Sequence, residues 1–197
     1  MADQGTMAAY AAHIERYRKL VTDQGGNRRL GGFMARLKPG DAVLDFGCGV
    51  GDSAAAMRDA GLDVSCVDAS PDMVAMALEL HGMEVRQISF DELTDEDLYD
   101  GVWASFSLLH VPRADMPANL ARIHRALKTG GILYLGLKEG DGEARDAAGR
   151  FYAYFGADEM RSHLATAGFT TIEIETDSVT GLLGKPEPCL HITARRD

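Results

Sequence analysis

From Asp41 onward, short apolar runs alternate with stretches in which apolar residues recur every three or four positions, the pattern of strands alternating with helices. Asp41 to Phe46 predicts a first strand that breaks at Gly47, Gly49 and Gly51 into an alanine-rich helix, reaching about Ala60 and capped by Gly61. Leu62 to Val67 predicts a second strand ending at Asp68. Ser70-Pro71-Asp72 then supplies a cap residue and a proline at the first helical position, for a helix to about Leu80 stopped by Gly82. Met83 to Ile88 and Gly101 to Phe106 predict the third and fourth strands. Between them Asp91 to Asp100 reads as a solvated acidic connector with about one helical turn. A helix over Asp115 to Leu127, a stop at Lys128 to Gly131 and an apolar fifth strand over Ile132 to Lys138 complete the alternation.

The two ends of the chain depart from this rhythm. Tyr10, Ile14, Tyr17, Leu20 and Val21 are spaced for one amphipathic helix over Thr6 to about Asp23 with its aromatics on one side, and a second helix covers Asn27 to Leu37. Both must lie against or over the sheet. Glu139 to Arg150 is polar and glycine-rich, and reads as a loop long enough to act as a lid. After a helix over Ala157 to Ala167, Thr170 to Thr176 and Cys189 to Ala194 alternate with no helix between them, which predicts an antiparallel hairpin at the end of the sheet.

At 197 residues the chain fits a single α/β domain, and 46% hydrophobic with 25% charged residues is the composition of an ordinary soluble protein. A net charge of −10 argues against gripping a phosphate backbone, so the expected partner is a small molecule and not nucleic acid. No apolar stretch approaches the ~18 residues needed to cross a membrane, and the N-terminus lacks a signal-peptide pattern. Cys48, Cys66 and Cys189 are widely spaced. They read as buried thiols in a reducing cytoplasm, with no metal site.

The glycines carry the first chemical hint. Their spacing is GxGxG, and Asp52 stands where a dinucleotide fingerprint needs its last glycine. A carboxylate there opposes a pyrophosphate at the helix N-terminus. A ligand with a ribose and an amino-acid zwitterion, but no phosphate, fits better.

With VLDFGCGVG, VDASPDM, DGVWASFSLLHV and LKTGGILYL in this order, the chain resembles the class I S-adenosylmethionine-dependent methyltransferases from about Ala8 to its end. The resemblance implies a three-layer, doubly wound, Rossmann-like fold with a seven-stranded, mostly parallel sheet whose last strand is antiparallel. Compact bacterial members, including tellurite-resistance-type enzymes, are similar in size. It also implies S-adenosylmethionine as cofactor, with residues 41–138 as the cofactor-binding core, 1–38 as helices over the sheet and 139–197 as the substrate side. Carried over by residue, Asp45, Gly47, Cys48 and Gly49 hold the methionine end, and Asp68 accepts the ribose hydroxyls. Ala69 and Met73 flank the adenine, Ser89, Phe90 and Asp91 cap its edge, and Ser105 and Phe106 lie beside the sulfonium. Asp45 also reads as a strand-end acid bound to backbone, and Met73 and Phe90 as core packing.

Methyl transfer from a sulfonium rests on in-line alignment, and a base is needed only where the acceptor must lose a proton. His110 and Tyr17 are the catalytic candidates, although His110 also reads as a structural residue at a loop entry. Tyr10 and His13 of the first helix, with Arg150, Tyr152 and Tyr154 of GRFYAYFG, are the substrate-side candidates. The alternative for that segment is aromatic packing with a solvated Arg150. The resulting expectation is methyl transfer to a small O-, N- or S-nucleophile. Same-fold use of the cofactor for cyclisation or anion alkylation, and a non-catalytic cofactor-binding partner protein, are the other readings. Nothing in the sequence selects the acceptor, or a monomer over a homodimer.

Overall fold

A computed structural model describes residues 3–12, 28–180 and 184–197. Its nine strands are β1 (Ala42–Phe46), β2 (Asp63–Asp68), β3 (Val85–Gln87), β4 (Tyr99–Ser105), β5 (Leu127–Lys138), β6 (Glu143–Arg145), β7 (Phe151–Ala153), β8 (Phe169–Thr180) and β9 (Pro186–Arg196). Seven of them form one sheet in the order β3-β2-β1-β4-β5-β9-β8. The first five in that order run parallel. β9, the last strand of the chain, runs antiparallel to both of its neighbours. The order turns back between β1 and β4, and in open α/β sheets that switch point opens a crevice at the carboxyl ends of the strands.

The helices are α1 (Gln4–Ala12), α2 (Arg28–Met34), α3 (Asp52–Asp59), α4 (Pro71–His81), α5 (Met116–Ala126) and α6 (Ala157–Thr166). Strand periodicity divides them into two layers. Leu44 and Phe46 of β1, Val102 and Ala104 of β4, and Leu133, Leu135 and Leu137 of β5 bury one face against Met116, Leu120 and Ile123 of α5 and Met160 and Leu164 of α6. The intervening residues Val43, Trp103, Ile132 and Tyr134 point the other way, onto Leu30 and Phe33 of α2 and Met57 of α3. Because both faces are covered, these strands read as continuous apolar runs. Trp103 stacks on Tyr134 at 3.9 Å, and Phe33 packs on Trp103 at 5.3 Å. A Cβ at Gly101 would come within 2.8 Å of the Phe33 ring, so this glycine lets α2 seat on the sheet.

Three expectations need correction. β5 starts at Leu127 and not after Gly131: Tyr99 pairs with Leu127, the register then shifts, and Gly101 pairs with Ile132, with Gly130 at φ 83° inside the irregularity. The residues read as a helix stop are thus a bulge in the strand. Glu139 to Arg150 is no plain lid loop, since β6 pairs with β7 as a small second sheet, and Arg145 ties it to Asp3 ahead of α1 at 2.8 Å. The terminal hairpin is longer than its alternating stretches, because β8 and β9 continue to Thr180 and Pro186. The first helix is described only as far as Ala12, and His13 and Tyr17 lie outside the described residues. No helix among the described residues is long and apolar enough to cross a membrane.

Leu135 is fully buried on the central strand β5. Replacing it with alanine is expected to cost about 2–5 kcal/mol, lowering the urea midpoint without changing the slope.

Candidate functional site

The turn after β1 forms the floor of the crevice. Gly47 sits at φ 84°, and a Cβ there would collide with the Ser107 Cβ and lie 3.1 Å from the Phe90 ring. Ser107 in turn donates its hydroxyl to the Phe46 carbonyl at 2.6 Å, locking the start of the turn to the segment after β4. Gly51, at φ 86°, starts α3 where a Cβ would press on Ala77 of α4 at 3.2 Å. Only glycine combines these left-handed angles with such close approaches.

Asp68, at the end of β2, holds the turn from the side. Its Oδ2 accepts from the Gly49 N–H and its Oδ1 from the Ser70 N–H, each at 2.9 Å. Each carboxylate oxygen keeps a lone pair for a further donor. Asp52, the expected negative charge at the helix start, is turned to His81 at the end of α4, 2.8 Å from its Nε2.

Two cavities open on this floor, with about 880 and 1350 Å³ of empty space that extends into open solvent, and Tyr10, Gly47, Ser105 and Phe106 line both. Gly49, Asp68, Ala69, Met73, Phe90, Asp91 and His110 line the first. Asp45, Cys48, Arg150 and Tyr152 line the second. Two candidates line neither. Ser89 gives its N–H and its hydroxyl to Glu92 Oε2, at 2.8 and 2.7 Å, as the cap of a short 3₁₀ turn. Tyr154 packs beside Gly140, its ring 6.2 Å from that of Tyr152. The sequence reading missed Lys138, Tyr134, Glu187 and His191 in the second cavity and Thr6 and Met7 in the first. Lys138 ends a central parallel strand, and that position was its available signal. Tyr134 lies on that same strand, while Glu187 and His191 depend on placement of the hairpin, and Thr6 and Met7 on that of α1.

The buried polar groups are arranged in pairs. His110 Nδ1 is 2.6 Å from the Phe151 carbonyl, and Nε2 is 2.9 Å from the Tyr10 hydroxyl. A carbonyl only accepts, so Nδ1 carries the proton and Nε2 accepts from Tyr10. Burial pushes His110 down to about 4, which keeps the ring neutral at pH 7. Arg150 is 4% exposed and so not solvated. Its guanidinium donates to Asp146 at 2.7 and 2.9 Å and to the Tyr10 hydroxyl at 3.4 Å. Lys138 Nζ lies 2.8 Å from Glu187 and 3.5 Å above the Tyr152 ring.

Asp45 has no such compensation. It is 2% exposed, and its Oδ2 has no partner among the described residues. Burial, and then the charge of Asp68, push its carboxyl up to about 8. Phe106, just after β4, adds a non-glycine residue at φ 55°, a strained backbone of the kind that gathers at working sites. The Cys48 thiol is held protonated by its hydrogen bond to Cys66 and by burial, which removes it as a nucleophile. No group of three or more metal-ligating side chains occurs among the described residues.

Residues 43–131 match the family described as "Methyltransferase domain". Phosphoethanolamine N-methyltransferase 2 of Caenorhabditis elegans is 31% identical over 163 residues, covering 75% of this chain and 36% of the relative. Ubiquinone biosynthesis O-methyltransferase of Xanthomonas oryzae pv. oryzae is 37% identical over 116 residues, covering 54% of this chain and 47% of the relative. The chain thus spans between a third and a half of these relatives' lengths. Among solved structures, the Burkholderia thailandensis 1,6-didemethyltoxoflavin-N1-methyltransferase, with bound 1,6-didemethyltoxoflavin and S-adenosylhomocysteine, superimposes with a TM-score of 0.76 at 24% identity. That match covers 98% of this chain and 88% of the other, and shows that the two share a fold.

Gly47→Ala is expected to destabilise the protein by about 2–4 kcal/mol, from the left-handed angle and the collision with Ser107, as read by urea unfolding. Asp45 has a raised pKa in the fold, so the stability it contributes is lost as pH rises from about 4 towards 8. Asp45→Asn should abolish that share of the loss, making the ligand-free variant more stable than wild type at pH 8 relative to pH 5.

Proposed function

We propose, on the premise that the chain carries a class I S-adenosylmethionine-dependent methyltransferase domain over residues 43–131, that it transfers a methyl group from this cofactor to a small-molecule acceptor. One observation carries the reading: two cavities share Gly47 in their walls, with the Asp68 carboxylate lining one and Asp45, whose Oδ2 has no partner among the described residues, lining the other. Such a cleft suits a ligand with a diol at one end and an ammonium at the other. The first cavity takes the adenosine. Asp68 accepts the ribose hydroxyls, Ala69, Met73 and Phe90 supply apolar walls for the base, and Asp91 stands at its edge. Asp45, Cys48 and the turn hold the amino-acid end. When bound, the cofactor supplies a methyl group on a positively charged sulfur that leaves as a neutral thioether.

The chain's own contribution to the chemistry is alignment and proton removal. That Tyr10 lines both cavities supports a role for its hydroxyl where acceptor and methyl group would meet. An acceptor O–H or N–H passes its proton to the Tyr10 oxygen while Tyr10 passes its own to His110 Nε2. The imidazolium so formed keeps both of its hydrogen bonds, to Phe151 and to Tyr10. It forms as the sulfonium charge is lost, so the cleft holds no more positive charge after the transfer than before it. Arg150, Tyr152 and Lys138 wall the acceptor side. Tyr154 stands behind this wall as packing. A net charge of −10 supports a small acceptor in preference to nucleic acid, and the three free cysteines fit a cytoplasmic setting. We read residues 1–197 as one domain.

S-adenosylhomocysteine at 100 times its dissociation constant is expected to stabilise the protein by about 2.7 kcal/mol, with NAD producing no shift. Asp68→Ala should weaken that binding by about 1–3 kcal/mol in calorimetry, and unchanged affinity removes Asp68 from the ribose site. Incubation with labelled S-adenosylmethionine and a panel of phenols, amines and thiols should yield S-adenosylhomocysteine and a methylated product by mass spectrometry. A cyclised cofactor product, or binding without turnover across the panel, contradicts methyl transfer. On the preferred acceptor, His110→Gln and Tyr10→Phe should each lower kcat by about 10²–10⁴-fold and be non-additive when combined, with unchanged S-adenosylhomocysteine affinity. Losses under twofold rule out the relay.

A further inference from the structure

Asp45 is buried with its Oδ2 lacking a partner among the described residues, and the groups around it explain why it holds its proton. From β2 it faces Cys66 and Asp68, from β4 Trp103, from the turn Cys48 and from the start of α3 Asp52. The Ala54 N–H is the backbone donor that reaches its carboxyl. The cations that share its cavity are engaged elsewhere or exposed. Arg29 pairs with Glu175 and Asp177, Lys138 with Glu187 and Arg150 with Asp146, while Arg28 is exposed. Tyr10, Tyr134, Tyr152 and the uncharged His191 complete the wall. A buried carboxyl beside the Asp68 charge, with no cation among the described residues paired to it, keeps its proton at neutral pH.

We infer that Asp45 couples cofactor binding to the release of its own proton: the carboxyl is neutral in the ligand-free protein and ionises when the α-ammonium group of the ligand enters the second cavity. The inference rests on the cofactor reading above. The Asp45 O–H bond breaks, its electron pair stays on the carboxylate, and the proton leaves to solvent. Affinity should therefore rise with pH, by up to tenfold per unit, below about pH 8, and level off above it. The coupling is confined to ligands that carry the amino-acid end. It offsets a standing cost, because the Oδ2 left without a partner among the described residues gains one only in the complex.

The test is calorimetry of the full chain with S-adenosylhomocysteine at pH 7, in two buffers that differ in ionisation enthalpy. Close to one proton should be released per bound S-adenosylhomocysteine. 5′-Methylthioadenosine, which has the adenosine but no amino-acid end, should release none, and neither ligand should release any from Asp45→Asn. Difference infrared spectroscopy of the wild-type protein should show a protonated carboxyl band that disappears when S-adenosylhomocysteine is added, a readout that stands even if the variant fails to fold. Binding with no buffer dependence and an unchanged carboxyl band overturns the inference and leaves the cofactor reading intact. Equal proton release by both ligands also overturns it. Absence of any S-adenosylhomocysteine binding overturns the cofactor reading, and the inference with it.

Discussion

The Asp68 carboxylate, by accepting from the Gly49 and Ser70 N–H groups, ties the glycine turn after β1 to the start of α4. Two parallel strands and the two helices that follow them meet at this side chain, and the crevice of the sheet opens beside it. Gly47 and Ser107 complete the clamp from the β4 side, since the turn approaches that segment too closely to admit a Cβ. The first cavity exists because these contacts hold three loop segments apart by a fixed amount. A carboxylate that fixes the turn and still has lone pairs facing the cleft serves fold and ligand together.

Around that clamp, buried polar groups fall into two kinds. Arg150 with Asp146, Lys138 with Glu187 and His110 with Tyr10 and Phe151 are compensated within the chain, so they rigidify the acceptor side without a ligand. One oxygen of Asp45 and the left-handed Phe106 are not compensated among the described residues. Phe106 lines both cavities and Asp45 the second, where free energy surrendered by the fold is available to binding.

The sequence conveyed the parts of this arrangement that local chemistry dictates. β1, β4 and β5 are mainly apolar runs because both faces of the sheet are covered, and Ser70-Pro71 and Gly82 mark the ends of α4 through their own backbone preferences. The hairpin was readable from alternation, but not its extension to the cavity wall, where exposed and polar residues carry no period. β6 and β7 escaped for the same reason: three-residue strands in a polar, glycine-rich stretch take their order from each other and from Asp3. Ser89 illustrates a different miss. Ser89-Phe90-Asp91-Glu92 is a capping box on its face, and the serine is committed to Glu92. The burial of Arg150 could not be read locally, because it depends on Asp146 folding back across the turn and on the Tyr10 and Tyr152 rings.

On the proposed reading, two cavities that share Gly47 hold an adenosine on Asp68 and an amino-acid end on Asp45. A crystal structure with S-adenosylhomocysteine bound should show both ribose hydroxyls on the Asp68 carboxylate, the adenine between Met73 and Phe90, and the α-ammonium against Asp45. Density for the ligand outside these two cavities, or with its ribose away from Asp68, would contradict it.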